Sequence, residues 1–249
     1  MKIVVHPKYQ SAKASIVQLL TLFDTHGKTV YKGRNLVKRF HTEHGDWIVK
    51  KYKTPNIFQK IAYTFWEKSK AEKAYLFAAK LLELGIDTPE EIAYIEKKKY
   101  GLLNDCYFIS TVCDDPSINT ALAENSNFDK DFATSLAAFC VEMHTRGFLH
   151  GDLNNSNILY RRDEQGELKF TVIDTNRSIF KSHPSSNECL DNLKRLTFHR
   201  ELFQYIIEKY AYLRQWNISQ SIHQAEIILN NFEKQRKRKR KIKSIIKRS

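Results

Sequence analysis

The chain has 249 residues, is 42% hydrophobic and carries a formal net charge of +13. This length is sufficient for one or two units with a buried core. No apolar run approaches the roughly 18 residues of a membrane-spanning helix, and the apolar run in MKIVVHPKYQ is too short for a signal peptide. The four cysteines have no metal-ligand spacing, so we expect reduced core thiols in a cytosolic protein.

The first part of the chain has the patterns of an antiparallel sheet with accompanying helices. Hydrophobic residues at helical spacing predict two helices, and short apolar runs bounded by turn sequences such as KGRN and HTEHGD predict strands. The order of strands, then a helix, then further strands is that of a kinase N-lobe. The predicted elements are helices at 11–24 and 69–84 and strands at 29–31, 36–40, 47–52 and 107–112, with a further strand after the helix exit in ELGIDTPEEIAYIE, 83–96.

One lysine of this sheet stands where a nucleotide-binding lysine is expected. Lys50 ends the apolar run WIVK, and Glu72 lies on the following helix where it could pair with that lysine. Lys51 points to the opposite strand face, so a change of register by one residue would exchange the two lysines. Glu67 competes with Glu72 for the acidic role, and solvated strand-edge lysines are the non-catalytic alternative.

Two further segments would complete a nucleotide site. The turn at 31–35 keeps only Gly33 of the glycine-rich pattern GxGxxG, so phosphate would receive few backbone contacts and neighbouring cations would compensate. The strand at 107–112 would lead into a hinge, where backbone groups from Thr111 to Cys113 would meet the adenine edge. An ordinary interior strand would have the same pattern.

The segment LHGDLNNSNILY, 149–160, with the later run FTVIDTN, 170–176, carries the strongest functional pattern. Protein kinases combine a catalytic Asp shortly after a His, an Asn further along the same loop, and a metal-binding Asp at the end of a later strand. Asp152, Asn157 and Asp174 occupy these positions. Asp152 would position an acceptor hydroxyl, while Asn157 and Asp174 would hold Mg²⁺ on the phosphates of ATP. An ordinary loop and hairpin is the alternative.

Helical patterns dominate the remainder of the chain. A helix at 128–146 would deliver the catalytic segment, and Ser219 is placed to cap the last helix. We therefore predict an α+β, two-lobed protein-kinase-like fold. Its parts would be an antiparallel-sheet N-lobe at 1–113, a mostly helical C-lobe at 114–233 and a basic tail at 234–249.

Three features separate the chain from protein kinases. Gly151 replaces the Arg that commonly pairs with a phosphorylated activation loop. Asn176 stands at the position of the DFG glycine, and Asn tolerates positive φ. Only RSIFKSHPSSNE, 177–188, precedes the next helical pattern, which leaves little room for a peptide-docking segment. A small-molecule or glycan hydroxyl is therefore the favoured acceptor.

These motifs resemble the lipopolysaccharide core kinases, the Kdo and heptose kinases related to protein kinases. The resemblance is carried by MHTRGFLHGDLNNSNIL, WIVKKYK and the helix SKAEKAYLFAAKLLELGIDTPE, and spans most of residues 28–200. It implies an ATP- and Mg²⁺-dependent phosphotransferase with an alcohol group as acceptor, most simply Kdo on a lipid A-linked inner core. It also implies a cytoplasmic protein, peripheral at the inner face of the inner membrane.

Other classes of protein share parts of the pattern. A RIO-like protein kinase and an aminoglycoside-phosphotransferase-like small-molecule kinase are the enzymatic alternatives. A pseudokinase that binds nucleotide without turnover is the non-enzymatic one, although such proteins usually lack one of the catalytic or metal-binding residues. Nothing in the sequence indicates an oligomeric state.

The positive charge is concentrated in the tail at 234–249. It contains ten Lys or Arg residues and no acid, which leaves only +3 of the +13 for the rest of the chain. Ile242, Ile245 and Ile246 are spaced to share one side of a helix, a pattern that favours an anionic membrane surface. Nucleic-acid binding is less favoured because the tail has no aromatic residue for base stacking. A solvated tail without a partner is the alternative.

Overall fold

A six-stranded antiparallel sheet forms the centre of the first of two units in this computed structural model, which describes residues 1–122 and 127–246. The first unit comprises Met1–Asp114 and Asp174–Asn176, and the second the remaining residues. The strand order is β1-β5-β6-β4-β3-β2. The strands are β1 Lys2–Val5, β2 Lys28–Lys32, β3 Leu36–Thr42, β4 Gly45–Lys51, β5 Glu91–Lys99 and β6 Leu102–Thr111.

Three helices accompany this sheet: α1 Lys13–Leu22, α2 Ile57–Phe65 and α3 Lys70–Glu83. Alternation along β4 places Trp47 and Val49 in the core with α1, while Tyr52 joins a second core with α3. The two core clusters lie on opposite sheet faces because successive strand residues point in opposite directions. The same alternation fixes which face each of the neighbouring lysines occupies.

The second unit is mostly helical, as predicted. Its long helices are α4 Lys130–Thr145, α6 Arg200–Leu213 and α7 Ile218–Ile246, with the shorter α5 Ser186–Leu193. Two small antiparallel pairs complete it, β8 Ile158–Arg162 with β9 Leu168–Val172 and β7 Phe148–Leu149 with β10 Ile179–Phe180. The sheet of the first unit and the helices of the second confirm the predicted α+β class.

Several elements differ from their prediction. β1 and α2 had no predicted counterpart, and the predicted helix at 11–24 begins as a 3₁₀ turn over Pro7–Ala12. The prediction of Ser219 as the last cap was wrong, because the Asn217 side chain accepts from the Gln220 backbone N–H at 2.9 Å.

The basic tail continues α7 as a helix to Ile246, and its side chains are exposed from Lys237 to Ile242. The predicted roles of the Ile245 and Ile246 side chains lie outside the part of the chain that is described. Among the described helices, none is both long and apolar enough to cross a membrane.

A buried lysine ties the end of α1 to the sheet. Lys38 on β3 is only 7% exposed, and its ammonium donates to the carbonyl oxygens of Phe23 at 2.6 Å and His26 at 2.8 Å. Carbonyl groups at the end of a helix lack intrahelical partners, and a cation there also complements the helix dipole. Lys38 therefore stabilises the segment that connects α1 to β2.

We predict that Lys38→Met lowers the free energy of unfolding by about 1–3 kcal/mol, because buried carbonyl groups lose their donor. Lys99→Met is the matched control, since Lys99 is exposed at the end of β5. Urea unfolding measures both variants. Equal stability of the two would contradict this role of Lys38.

Candidate active site

Lys50 and Asp174 form an ion pair in the first unit. The Lys50 ammonium lies 2.6 Å from Asp174 Oδ1, and the lysine side chain is 14% exposed. Lys51 lies on the other sheet face, with its ammonium 3.6 Å from an Asp24 carboxylate oxygen. Of the two lysines considered, Lys50 is thus the one beside the predicted metal-binding Asp.

The backbone at Asp174 adopts a left-handed conformation, with φ of 59°. The expectation of positive φ at Asn176 was wrong, because the left-handed residue in the segment after β9 is Asp174. Asn176 instead donates from Nδ2 to Asp174 Oδ1 at 2.5 Å. Left-handed backbone is unfavourable for a residue with a Cβ and persists only where the surrounding contacts hold it. Here it turns the chain directly after β9 and presents the carboxylate.

Glu72 does not pair with Lys50 in this structure. Its Oε1 lies 3.6 Å from the Lys2 ammonium and accepts from the Tyr94 hydroxyl at 3.4 Å. The reason is β1, which pairs with β5 so that Lys2 lies opposite Glu96 and reaches Glu72 on α3. The competing residue Glu67 contacts Lys73, at 3.7 Å.

The structure places Gly33 in the turn between β2 and β3, where its N–H donates to the Asn35 carbonyl at 3.0 Å. A Cβ at this position would clash with the side chain of Tyr31. Thr111 ends β6 as expected, but its N–H donates to the Glu90 carbonyl at 2.9 Å. The Thr111 amide is therefore not available to an adenine edge.

The predicted catalytic loop is held by buried hydrogen bonds in the second unit. His150 is fully buried; its Nε2–H donates to the Ile173 carbonyl at 2.9 Å, and its Nδ1 accepts from the Asp152 N–H at 3.3 Å. The Ile173 N–H in turn donates to the Asn157 carbonyl at 3.0 Å. The hydrogen bonds of His150 thus link the predicted catalytic loop to Ile173.

Two arginines contact the Asp152 carboxylate. Arg177 donates to Oδ2 at 2.9 Å, and Arg195 donates to Oδ1. The Arg195 guanidinium also lies over the Phe232 ring of α7, 5.0 Å from its centroid. Both arginine side chains remain partly exposed, 50% for Arg177 and 35% for Arg195. The surroundings of the predicted catalytic Asp are therefore cationic overall.

Asn157 is oriented by its own loop. Its Nδ2 donates to the Asp152 carbonyl at 2.9 Å, which directs Oδ1 away from the loop. Among the described residues, neither Asn157 Oδ1 nor Asp174 Oδ2 has a hydrogen-bond donor. Carboxylate and amide oxygens are ligands that suit Mg²⁺, which is commonly held by few protein groups together with substrate phosphates.

Within the described part of the chain, no group of three or more His, Cys, Asp or Glu side chains could hold an ion alone. Lys50 and Asp174 belong to the first unit, and Asp152 and Asn157 belong to the second.

A buried network of hydrogen bonds next to Gly151 was not predicted from the sequence. The Gly151 N–H donates to Asn192 Oδ1 at 3.0 Å, Asn192 Nδ2 donates to His144 Nε2 at 2.9 Å, and His144 Nδ1–H donates to the Tyr210 hydroxyl at 2.8 Å. Burial, assisted by the charge of Arg214, lowers the pKa of His144 to about 3. No spacing signal links α4, α5 and α6, which supply these side chains.

Gly151 itself is required by this geometry. Its φ is 71°, and a Cβ would collide with the backbone carbonyl of Arg177. The glycine that replaces the kinase Arg therefore has a structural cause, namely close approach of two backbone segments at the loop.

We predict that Gly151→Ala lowers the free energy of unfolding by about 3 kcal/mol, because strain at positive φ adds to a backbone clash. Gly166→Ala is the matched control, since φ is 82° there but a Cβ would meet open space. It should cost only about 1 kcal/mol. Urea unfolding of both variants measures the difference, and equal losses would disprove the close approach.

Two solved structures share this fold. One is described as WaaP in complex with acyl carrier protein, with 12% identity and a TM-score of 0.63 over 96% of this chain and 99% of that one. The other is amicoumacin kinase hAmiN in complex with AMP-PNP, Ca²⁺ and Ami, with 11% identity and a TM-score of 0.56 over 89% of this chain and 87% of that one. These likenesses establish the protein-kinase-like fold. Comparison with curated proteins gives no match.

The sequence itself matches a family description over most of its length. Residues 25–220 match the lipopolysaccharide kinase (Kdo/WaaP) family. The matched range contains Lys50, Asp152, Asn157 and Asp174. The chain therefore belongs to the lipopolysaccharide kinase (Kdo/WaaP) family.

Proposed function

We propose that this protein transfers the γ-phosphate of ATP to a hydroxyl of Kdo in the lipid A-linked inner core of lipopolysaccharide. Membership of the lipopolysaccharide kinase family supports the reaction class. The observation that carries the proposal is the rigid loop that presents Asp152 between two arginines. It combines a group able to orient a hydroxyl with a cationic environment for an anionic acceptor.

Asp152 would orient the acceptor hydroxyl. Each of its carboxylate oxygens accepts from one arginine, and a carboxylate oxygen has a second lone pair for another donor. A substrate hydroxyl can therefore donate to Asp152 without displacing Arg177 or Arg195. Positioning of the nucleophile in this way is the main contribution that a kinase loop makes to phosphoryl transfer.

Lys50 and Asp174 would serve the nucleotide. Their ion pair is a contact that phosphate binding would replace, with the ammonium turning to phosphate oxygens and the carboxylate to the metal. Asn157 would supply a second oxygen ligand from its oriented amide. Mg²⁺, when bound, would neutralise charge on the phosphates during transfer. Glu72 and Gly33 remain proposals for secondary roles at the nucleotide.

The positive charge around Asp152 supports Kdo as the acceptor. Kdo is an acidic sugar whose carboxylate matches the fork geometry of a guanidinium. Arg177 and Arg195 together carry two positive charges against the one negative charge of Asp152. A neutral sugar would gain nothing from the surplus charge, whereas a sugar acid would.

A lipid-linked acceptor places the reaction at a membrane surface. We propose that the enzyme is cytoplasmic and binds the inner face of the inner membrane in part through the tail at 234–249. The exposed cations of this helical tail support the proposal, since each contributes about 1 kcal/mol near an anionic leaflet.

We predict that Asp152→Asn reduces transfer of labelled phosphate from ATP to Kdo–lipid A by at least about 100-fold, because the hydroxyl loses its anionic acceptor. Asp131→Asn on α4, where the carboxylate is exposed, should leave turnover unchanged. Thermal unfolding of both proteins shows that the fold is intact.

Retained turnover in the folded Asp152→Asn protein would refute the mechanism. Phosphorylation of a protein or a soluble small molecule in preference to Kdo–lipid A would refute the acceptor. Nucleotide binding without transfer to any of the three would favour a pseudokinase.

We predict that Arg195→Gln lowers kcat/KM for Kdo–lipid A by about tenfold to 100-fold, because one charge-assisted hydrogen bond is lost. Arg161→Gln is the matched control, since Arg161 pairs with Asp115 elsewhere in the same unit. Esterification of the Kdo carboxylate should weaken the wild-type enzyme and leave Arg195→Gln almost unaffected. Equal sensitivity of both enzymes to esterification would exclude recognition of that carboxylate by Arg195.

A further inference from the structure

Helix α2 packs against the sheet with its polar side. The Lys60 ammonium donates to Asn104 Oδ1 on β6 at 2.6 Å, and Thr64 Oγ1 accepts from the Leu103 N–H at 2.9 Å. A helix on the surface of a globular protein normally turns its apolar stripe toward the core. In α2 the side chains that hydrogen-bond to the sheet are polar, and no residue of the helix is buried.

Most of the apolar side of α2 is exposed, and Ile61 within it is half-buried. Ile57, Phe58, Ile61 and Phe65 fall on one arc of about 100° at helical spacing. Ile57 is 55% exposed, Phe58 80% and Phe65 65%, and Trp66 directly after the helix is 78% exposed. Single exposed apolar residues need no explanation, but a contiguous group of this size marks an interaction surface.

Both ends of α2 are fixed by hydrogen bonds within its own segment. Asn56 and Gln59 make a capping box, in which the Asn56 side chain accepts from the Gln59 N–H at 2.9 Å. At the other end the Trp66 N–H donates to the Ala62 carbonyl at 2.9 Å. The aromatic side chains are therefore presented on a preformed scaffold.

The charge around α2 is positive. Residues 53–70 contain four lysines and one glutamate, and Lys53 and Lys68 at the two ends are exposed. Glu67 is engaged by Lys73. Phe and Trp side chains flanked by Lys are the composition of helices that lie in a membrane interface, where aromatic rings enter the acyl boundary and cations meet anionic headgroups.

We propose that the surface formed by Ile57, Phe58, Phe65 and Trp66 inserts into the interfacial region of an anionic lipid bilayer. This surface belongs to the first unit and is separate in the chain from the basic tail. The proposed function, with its lipid-linked acceptor, gives a reason for this membrane contact. Binding itself needs no turnover.

The test measures partition of the full-length protein onto vesicles of phosphatidylglycerol and phosphatidylcholine, with phosphatidylcholine vesicles for comparison. The test variant is Phe58→Ser with Phe65→Ser and Trp66→Ser, all at exposed positions. The matched control is Tyr100→Ser with Tyr212→Ser, whose side chains are 93% and 68% exposed. A tail variant with Arg238, Lys239, Arg240 and Lys241 changed to Gln reports the contribution of the tail.

We expect the wild type and the tyrosine control to bind the anionic vesicles and the α2 variant to lose at least about tenfold in partition coefficient. Tryptophan emission of the wild type should shift to the blue on binding as Trp66 leaves water. The Asp152→Asn protein should bind as the wild type does, so a failure of the kinase proposal is distinguishable from a failure of this one.

Three results would overturn the proposal. The α2 variant could bind vesicles as tightly as the wild type while the tail variant does not, which would assign binding to the tail alone. The wild type could fail to bind anionic vesicles at all. A change of oligomeric state in the α2 variant, with vesicle binding unchanged, would identify a second copy of the chain as the occupant.

Discussion

The predicted catalytic loop depends on one histidine, His144, that is held neutral by burial. His144 can donate to Tyr210 and accept from Asn192 only while uncharged, and burial keeps the pKa of His144 near 3. A protonated imidazole would present two donors and lose the acceptor that Asn192 uses. Asn192 then fixes Gly151, and Gly151 admits the backbone of Arg177 to the loop. The position of Arg177 beside Asp152 therefore depends on the uncharged imidazole of His144.

This arrangement gives the loop a different electrostatic character from that of a phosphorylation-switched kinase. There, an arginine next to the catalytic Asp serves a phosphorylated loop. Here the cations come from Arg177 and Arg195, contact the carboxylate directly and leave donors exposed. Arg195 is held further by Phe232, so α7 supports the loop as well as continuing into the basic tail. The positive charge beside Asp152 is therefore constitutive and needs no regulatory phosphate to place it there.

Short-range sequence patterns predicted the features that depend on neighbouring residues, namely strand faces and helices. Strand alternation separated Lys50 from Lys51, and the helices around the catalytic loop have clear apolar periodicity. The contacts that escaped prediction join distant segments: Lys2 reaches Glu72 from a strand that was not recognised, and Arg195 reaches Asp152 from 43 residues away. No spacing rule reports such pairs. The left-handed residue was assigned to Asn176 from side-chain tolerance, whereas the chain direction after β9 requires it at Asp174.

Helix α2 shows why an amphipathic pattern alone does not reveal orientation. The capping box at Asn56 and Gln59 was a usable signal for the helix, yet periodicity is the same whether the apolar side faces the core or water. The orientation of α2 is shown by the hydrogen bonds that Lys60 and Thr64 make to residues of β6. The two proposed membrane contacts, the basic tail and the surface of α2, differ in how they respond to salt. Attraction of the tail to anionic lipid is screened by salt over a Debye length, while burial of Phe58 and Trp66 is not, so raised ionic strength should weaken the first far more than the second.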